Sequence, residues 1–332
     1  MAFGLGIDLG GTKILAGVID LESGHVAGRA KKRTRAEHGA DDVMQRLQAV
    51  ADEALGNSGV DRSQVVVAGV GAAGQVDEQH GVLIHAPNLP QGMVGAPITA
   101  TLSDHFGCPV ALANDVAAAA AGEATFGAGR DHPDFVCIFS GTGIGGAIYR
   151  EGKPYKGNTD TAGELGHMVI DYNGRLCGCG GLGHLEAYAS RSAVVRTILS
   201  AMRQGRESSL SKVDSGRDPN DVAHSGIRSK AVADAVRDGD ALAIETVEAA
   251  ARYMGAGLVS IVNFYNPPRI VLGGGLVQEL DLFFRLAADG AMNGALQVPA
   301  KSVQIVKAAL GDDSGIVGAA VLASRRIAVP SR

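Results

Sequence analysis

Residues 3–20 read FGLGIDLGGTKILAGVID, two apolar runs broken at Gly10, Gly11 and Thr12, and this pattern predicts two short strands around a tight turn. After the break at Ser23 and Gly24, GHVAGRAKKR reads as a third strand, so the chain opens as a β-meander. Val43, Leu47, Val50 and Ala54 then recur at helical spacing, and VVVAGV (65–70) is a continuous apolar run of the kind buried on both faces. PVALAND (109–115) runs straight into the alanine-rich VAAAAAGEA, a strand feeding a helix. The meander restarts at FVCIFS (135–140), which leads through SGTGIGG into AIYREGKPY. Two such openings, each feeding αβ segments, predict an α/β protein of two related halves with a ligand cleft between them.

Further along, residues 203–229 are polar and read as a surface excursion. Val247, Ala251, Met254, Leu258 and Ile261 form the stripe of a long packed helix that ends at Asn266-Pro267-Pro268.

Composition narrows the function. The chain has 332 residues, enough for two domains with real cores. It is 46% hydrophobic and 20% charged, which excludes a disordered chain and a membrane bundle. A net charge of −5 supplies no basic field for a nucleic-acid backbone, so small molecules are the expected partners, with no nucleic acid and no membrane. The basic cluster Arg29, Lys31, Lys32, Arg33 and Arg35 reads as a solvated face. Only 4 cysteines occur, and MAFGLGIDLG lacks the regions of a signal peptide, so a cytoplasmic location is expected. The 47 glycines, about twice the ordinary share, must serve local tasks.

Two stretches match G-x-G-x-x-G, at Gly69, Gly71, Gly74 and at Gly141, Gly143, Gly146. Neither is followed by the helix that a dinucleotide site requires, so both read as hairpin-like turns. The turns Gly10-Gly11-Thr12 and Gly141-Thr142-Gly143 share small residues and a hydroxyl, a composition suited to clamping a polyphosphate. Asp8, two residues before the first glycine pair, is placed to hold a phosphate-bound Mg²⁺ directly or through water. Asp115 ends a strand and opens a helix, where ligands gather on open α/β sheets, and a plain helix N-cap is the competing reading. A carboxylate there suits the general base of a phosphoryl transfer. His167, Cys177 and Cys179 are a zinc-type ligand set in a glycine-rich loop.

IDLGGTK (7–13), AND (113–115), SGTGIGG (140–146), GELGHM (163–168), CGCGGLGHLE (177–186) and VLGGGL (271–276) occur in the order of the ROK family of sugar kinases and sugar-responsive repressors, which the chain resembles over nearly its whole length. The resemblance implies the actin-like, hexokinase-type (RNase H-like) ATPase fold, with two α/β domains around a central cleft that closes over sugar and ATP. The expected domains are residues 1–118, completed by a C-terminal helix at about 312–332, and residues 119–311 carrying the zinc loop.

The resemblance implies a role for each matching site residue. Asp115 matches the catalytic base, and Gly74, Asn88, Asn114, Glu164, His167 and Glu186 match the sugar contacts. The phosphate turn of Gly10, Gly11, Thr12 and Lys13, the turn of Gly141, Thr142 and Gly143, and the adenosine-side turn of Gly273, Gly274 and Gly275 match the nucleotide contacts. The family places three cysteines in the zinc loop, whereas this chain has His184 where the third belongs. A two-His, two-Cys site of His167, Cys177, Cys179 and His184 is expected to retain a structural Zn²⁺ with altered affinity.

The expected activity is ATP- and Mg²⁺-dependent phosphorylation of the 6-hydroxyl of glucose, the entry step of glycolysis, by a homodimer. The runner-up is a kinase of N-acetylmannosamine or N-acetylglucosamine. A non-catalytic regulator is the third reading, and it is disfavoured because Asp8 arrives after only seven residues, ahead of which no helix-turn-helix fits.

Overall fold

The computed structural model describes residues 2–159, 161–213, 222 and 225–327. Part of the polar excursion expected at 203–229, namely 214–221, 223 and 224, lies outside the described residues, as do 328–332 of the expected C-terminal helix region. Among the described residues no helix is long and apolar enough to cross a membrane. The chain divides into two compact units, 1–131 with 312–332, and 132–311.

The first unit opens with β1 (Phe3–Leu9), β2 (Lys13–Asp20) and β3 (Val26–Arg33), the antiparallel meander the opening sequence predicts. Helix α1 (Ala40–Ser58) buries Val43, Leu47, Val50 and Ala54, the stripe read from their spacing, together with Ala51. Burying such Val and Leu side chains is worth roughly 1.5–3 kcal/mol each. Strand β4 (Val65–Ala72) pairs parallel with β1, and the segment after Gly74 forms a small hairpin of β5 (Gln75–Asp77) and β6 (Val82–His85). Helix α2 (Ile98–Phe106), strand β7 (Val110–Asn114) and helix α3 (Asp115–Phe126) complete this stretch. The five-stranded sheet runs β3-β2-β1-β4-β7.

The second unit repeats that plan. Its strands are β8 (Phe135–Ser140), β9 (Ile144–Arg150) and β10 (Lys153–Pro154), again an antiparallel meander. A long loop then leads to α4 (Glu186–Ala189), α5 (Arg191–Arg203), α6 (Ser229–Arg237) and the 25-residue α7 (Ala241–Tyr265), which ends on Asn266 in the left-handed conformation. Strand β11 (Arg269–Gly273) pairs parallel with β8, and after α8 (Gly275–Glu279), α9 (Asp281–Gly294) and α10 (Gln297–Ser302), strand β12 (Gln304–Lys307) pairs parallel with β11. The order β10-β9-β8-β11-β12 matches the first sheet position for position. Its core packs Val136 and Ile138 of β8 with Val195 and Ile198 of α5 and Met254 and Leu258 of α7.

Helix α11 (Ser314–Arg326) brings the chain back to the first unit. It packs along α3 so closely that a Cβ on Gly318 would stand 1.6 Å from the Ala118 carbonyl oxygen. The same helix crosses β1 at Gly6, where a Cβ would stand 1.8 Å from the carbonyl oxygen of Ile316. Glu123 of α3, fully buried, accepts from the Ser314 hydroxyl at 2.8 Å. These contacts hold the whole of α3 in the first unit, so the boundary falls at 131/132 rather than at the expected 118/119, which would cut that helix.

Candidate functional site

In the first unit three parallel-aligned strands end together. Asp8 of β1 lies opposite Gly71 of β4, and Gly71 lies opposite Ala113 of β7, so the step from Asn114 to Asp115 occurs beside the strand end that carries Asp8. Gly71 lies against the start of α3, where a Cβ would stand 3.0 Å from the Ala118 Cβ and 3.4 Å from the Cα of Asp115. Asn114 caps α3, its Oδ1 accepting from the backbone N–H groups of Val116 and Ala117 at 3.0 Å each. The competing reading of Asp115 as the N-cap therefore falls to its neighbour. Asp115 is the first helical residue, and its Oδ1 accepts from the Val116 N–H at 2.9 Å.

Asn114 also donates through Nδ2 to the Gly74 carbonyl at 2.9 Å, which leaves one amide N–H to offer a ligand. Gly74 itself has φ +127°, a backbone conformation L side chains rarely adopt, so only its main chain can serve a substrate.

Asp8 is the electrostatic centre of this unit. Burial first, and the Asp115 charge second, raise its carboxyl from 3.8 to about 6, against the lowering effect of Lys13. The N-terminal turn of α11 lies against it, with the position of a Cβ on Gly315 3.3 Å from the Asp8 Cγ. A buried carboxylate whose proton affinity is raised by a second carboxylate marks a place where a cation is favoured, and the donor set suits Mg²⁺. The turn after β1 is closed by the Gly10 N–H donating to the Lys13 carbonyl at 3.0 Å, and the buried Thr34 hydroxyl donates to the Gly10 carbonyl at 2.6 Å. Exposed Asn88 stands against it, its Cβ 2.6 Å from where a Cβ on Gly11 would be. Lys13 lies 4.0 Å from Asp312.

In the second unit the turn after β8 is closed by the Gly141 N–H donating to the Gly143 carbonyl at 2.9 Å, which puts Thr142 at its tip. The turn of Gly273, Gly274 and Gly275 lies at the end of the adjacent strand β11, with Gly274 packed on the Ser140 carbonyl. Glu186, at the start of α4, accepts from the Ile144 N–H at 2.8 Å through Oε2 and from the Cys177 thiol at 3.4 Å through Oε1. Glu164 is exposed, and its Oε2 lies 3.8 Å from His167 Nε2.

The four metal-type ligands converge, and the backbone shows why. Residues 168–170 pair with 183–185, the Leu185 N–H donating to the Met168 carbonyl at 2.9 Å and the Ile170 N–H to that of Gly183 at 2.8 Å, which sets His167 beside His184. The Gly180 N–H donates to the Cys177 carbonyl at 3.0 Å, curling Cys177 and Cys179 toward them. Ligand atoms of all four residues lie within 4.8 Å of one another. His167 Nδ1 is 3.3 Å from His184 Nδ1 and 3.9 Å from Cys177 Sγ, and Cys179 Sγ is 3.2 Å from His184 Nδ1. Tetrahedral zinc with bonds of about 2.0–2.3 Å needs ligand-to-ligand edges of about 3.3–3.8 Å, which the three short separations approach, and the His and Cys donors suit that ion. The other two cysteines, Cys108 and Cys137, are buried.

Arg191, which belongs to none of the sequence motifs, stands one residue after the Ser190 cap of α5. Its backbone N–H donates to the Gly141 carbonyl at 3.0 Å and its guanidinium to the Thr142 hydroxyl at 2.8 Å. A cation just inside a helix that follows a Ser cap was the available signal.

The model of the ROK family matches residues 4–326. The chain belongs to the ROK family. Among ROK relatives, it is 34% identical to a glucokinase of Streptomyces coelicolor over 97% of this chain and 98% of that one. It is 30% identical to a glucokinase of Thermotoga maritima, again over 97% and 98%. The crystal structure of a ROK family glucokinase from Streptomyces griseus in complex with glucose and AMPPNP superposes with a TM-score of 0.83 at 34% identity, covering 98% of this chain and all 100% of that one. The actin-like ATPase fold expected from the sequence is the ROK fold, and the paired five-stranded sheets are its two α/β repeats.

Proposed function

We propose that this ROK protein is an ATP-dependent glucokinase, transferring the γ-phosphoryl group of ATP to the 6-hydroxyl of glucose. The observation that carries the reading is the division of labour at α3: Asn114 performs the capping, and Asp115 stands next to it beside the Asp8 carboxylate. Full-length similarity to glucokinases of two organisms, and to a relative that holds glucose and an ATP analogue, supports the substrate pair.

In this reading Asp115 takes the proton of the sugar 6-hydroxyl as its oxygen attacks the γ-phosphorus, the bond from that phosphorus to the bridging oxygen breaks, and ADP leaves with the electron pair. Asp8 holds Mg²⁺, which when bound neutralises charge on the phosphates. The backbone N–H groups of Gly10, Gly11, Thr12 and Lys13 in the first unit, and those of Gly141, Thr142 and Gly143 in the second, bind phosphate oxygens, with Gly273, Gly274 and Gly275 on the adenosine side. Gly74, Asn88, Asn114, Glu164, His167 and Glu186 supply acceptors and donors for sugar hydroxyls. His167, Cys177, Cys179 and His184 hold a structural zinc that fixes the loop between Glu164 and Glu186.

The reading extends to a cytoplasmic homodimer in glycolysis, whose mass is checked by light scattering. The test of the function is a coupled assay with ATP and Mg²⁺ over glucose, mannose, fructose, N-acetylglucosamine and N-acetylmannosamine. Highest kcat/KM on glucose is expected. Preference for an N-acetylated hexosamine would move the assignment to the runner-up, and no turnover on any sugar would leave the regulator reading.

A further inference from the structure

Thr142 has a partner that cannot accept a hydrogen bond. An arginine guanidinium carries donors only, so in the 2.8 Å contact between Arg191 and Thr142 the hydroxyl oxygen must be the acceptor. The Thr142 hydroxyl proton then points away from Arg191 and is left to donate elsewhere. The bond is charge-assisted, which draws electron density from the hydroxyl and makes its O–H a stronger donor.

The same residue grips the turn a second time, its backbone N–H donating to the Gly141 carbonyl at 3.0 Å. Behind the turn, the Ser140 hydroxyl donates to the Ala189 carbonyl at 2.9 Å, and Ser190 caps α5 by accepting from the Ala193 N–H at 3.1 Å. The turn and the first residues of α5 are thus one rigid piece. A second cation, Arg228, acts on Arg191 electrostatically, and with burial it holds the guanidinium's proton affinity down, although an arginine stays charged at any physiological pH. Among the described residues neither arginine is in an ion pair with a carboxylate, so positive charge accumulates beside a turn of backbone donors.

We propose that Arg191 is a positioning residue for the nucleotide: through its guanidinium it orients the Thr142 hydroxyl as a donor to a phosphate oxygen of ATP. This rests on the reading that the turn of Gly141, Thr142 and Gly143 takes the phosphates. Arg191→Ala keeps the backbone N–H and removes the side chain beyond Cβ, the guanidinium included.

The test is a double-mutant cycle of Arg191→Ala and Thr142→Val, reading KM for MgATP, KM for glucose, kcat, and calorimetric binding of the non-hydrolysable analogue AMPPNP with Mg²⁺. Arg191→Ala is expected to raise KM for MgATP and weaken AMPPNP binding by about tenfold, with KM for glucose within about twofold of wild type. In the Thr142→Val background the same change is expected to add nothing. Arg191→Met, of similar length and without donors, must reproduce the effect with an unchanged melting temperature, which separates positioning from folding. Additive effects of the two substitutions, or a loss that falls on glucose instead of nucleotide, overturn the proposal. If wild-type protein itself neither turns over ATP nor binds AMPPNP, the phosphate reading of the turn fails and the proposal falls with it. That outcome is visible before any variant is made.

Discussion

Asp115 raises the proton affinity of Asp8, second only to burial among the causes that bring the Asp8 carboxyl to about 6. The two carboxylates are brought together by parallel pairing of β1, β4 and β7 in one sheet. Repulsion of this kind is an energetic cost in the free protein and an attraction for a cation.

The cost sets a pH dependence. A carboxyl elevated in the folded state binds its proton more tightly there than in the unfolded chain, so its contribution to stability falls as pH rises through the window from 3.8 to about 6. An elevation of that size corresponds to roughly 3 kcal/mol at most. Asp8→Asn removes the charge at nearly constant volume, and it should be more stable than wild type at pH 7 and lose that advantage near pH 4. Urea unfolding of both proteins at the two pH values measures the difference. A gap independent of pH would dissociate Asp8 from the effect.

Asp115→Ala removes the proposed base while leaving Asn114 to cap α3. Loss of about 10²–10⁴-fold in kcat is expected, with glucose binding still measurable by calorimetry and little change in melting temperature. Near-normal turnover would remove Asp115 from its role.

Protein purified without chelator should contain about one zinc per chain by elemental analysis. His184→Ala should lower the zinc content and the melting temperature, and His184→Cys should restore both. Wild-type protein that carries no zinc would contradict the assignment, whatever its activity.

Gly318→Ala places a methyl carbon 1.6 Å from the Ala118 carbonyl oxygen, a contact that neither helix backbone can relieve locally. Forcing α11 from α3 should destabilise the first unit by about 3 kcal/mol or more, read as a drop in urea midpoint. A neutral outcome would mean that the two helices separate without cost.

Local chemistry was legible in the sequence alone. Alternating apolar runs around Gly10-Gly11-Thr12 and the restart at FVCIFSGTGIGG specify strand, turn and strand within a dozen residues, and the stripe from Val43 to Ala54 specifies one buried helix face. The ligand types of the zinc loop were likewise present as residue identities. Only the tertiary structure decided which distant groups meet: His167 with His184 through paired loop segments, Arg191 with Thr142 across 49 positions, and α11 with α3, which carried the unit boundary past the end of that helix. The proton affinity of Asp8 belongs to the same class. Periodicity and turn propensity act over a few bonds along the chain, whereas burial, charge repulsion and close packing act through space between residues whose sequence separation says nothing of their distance.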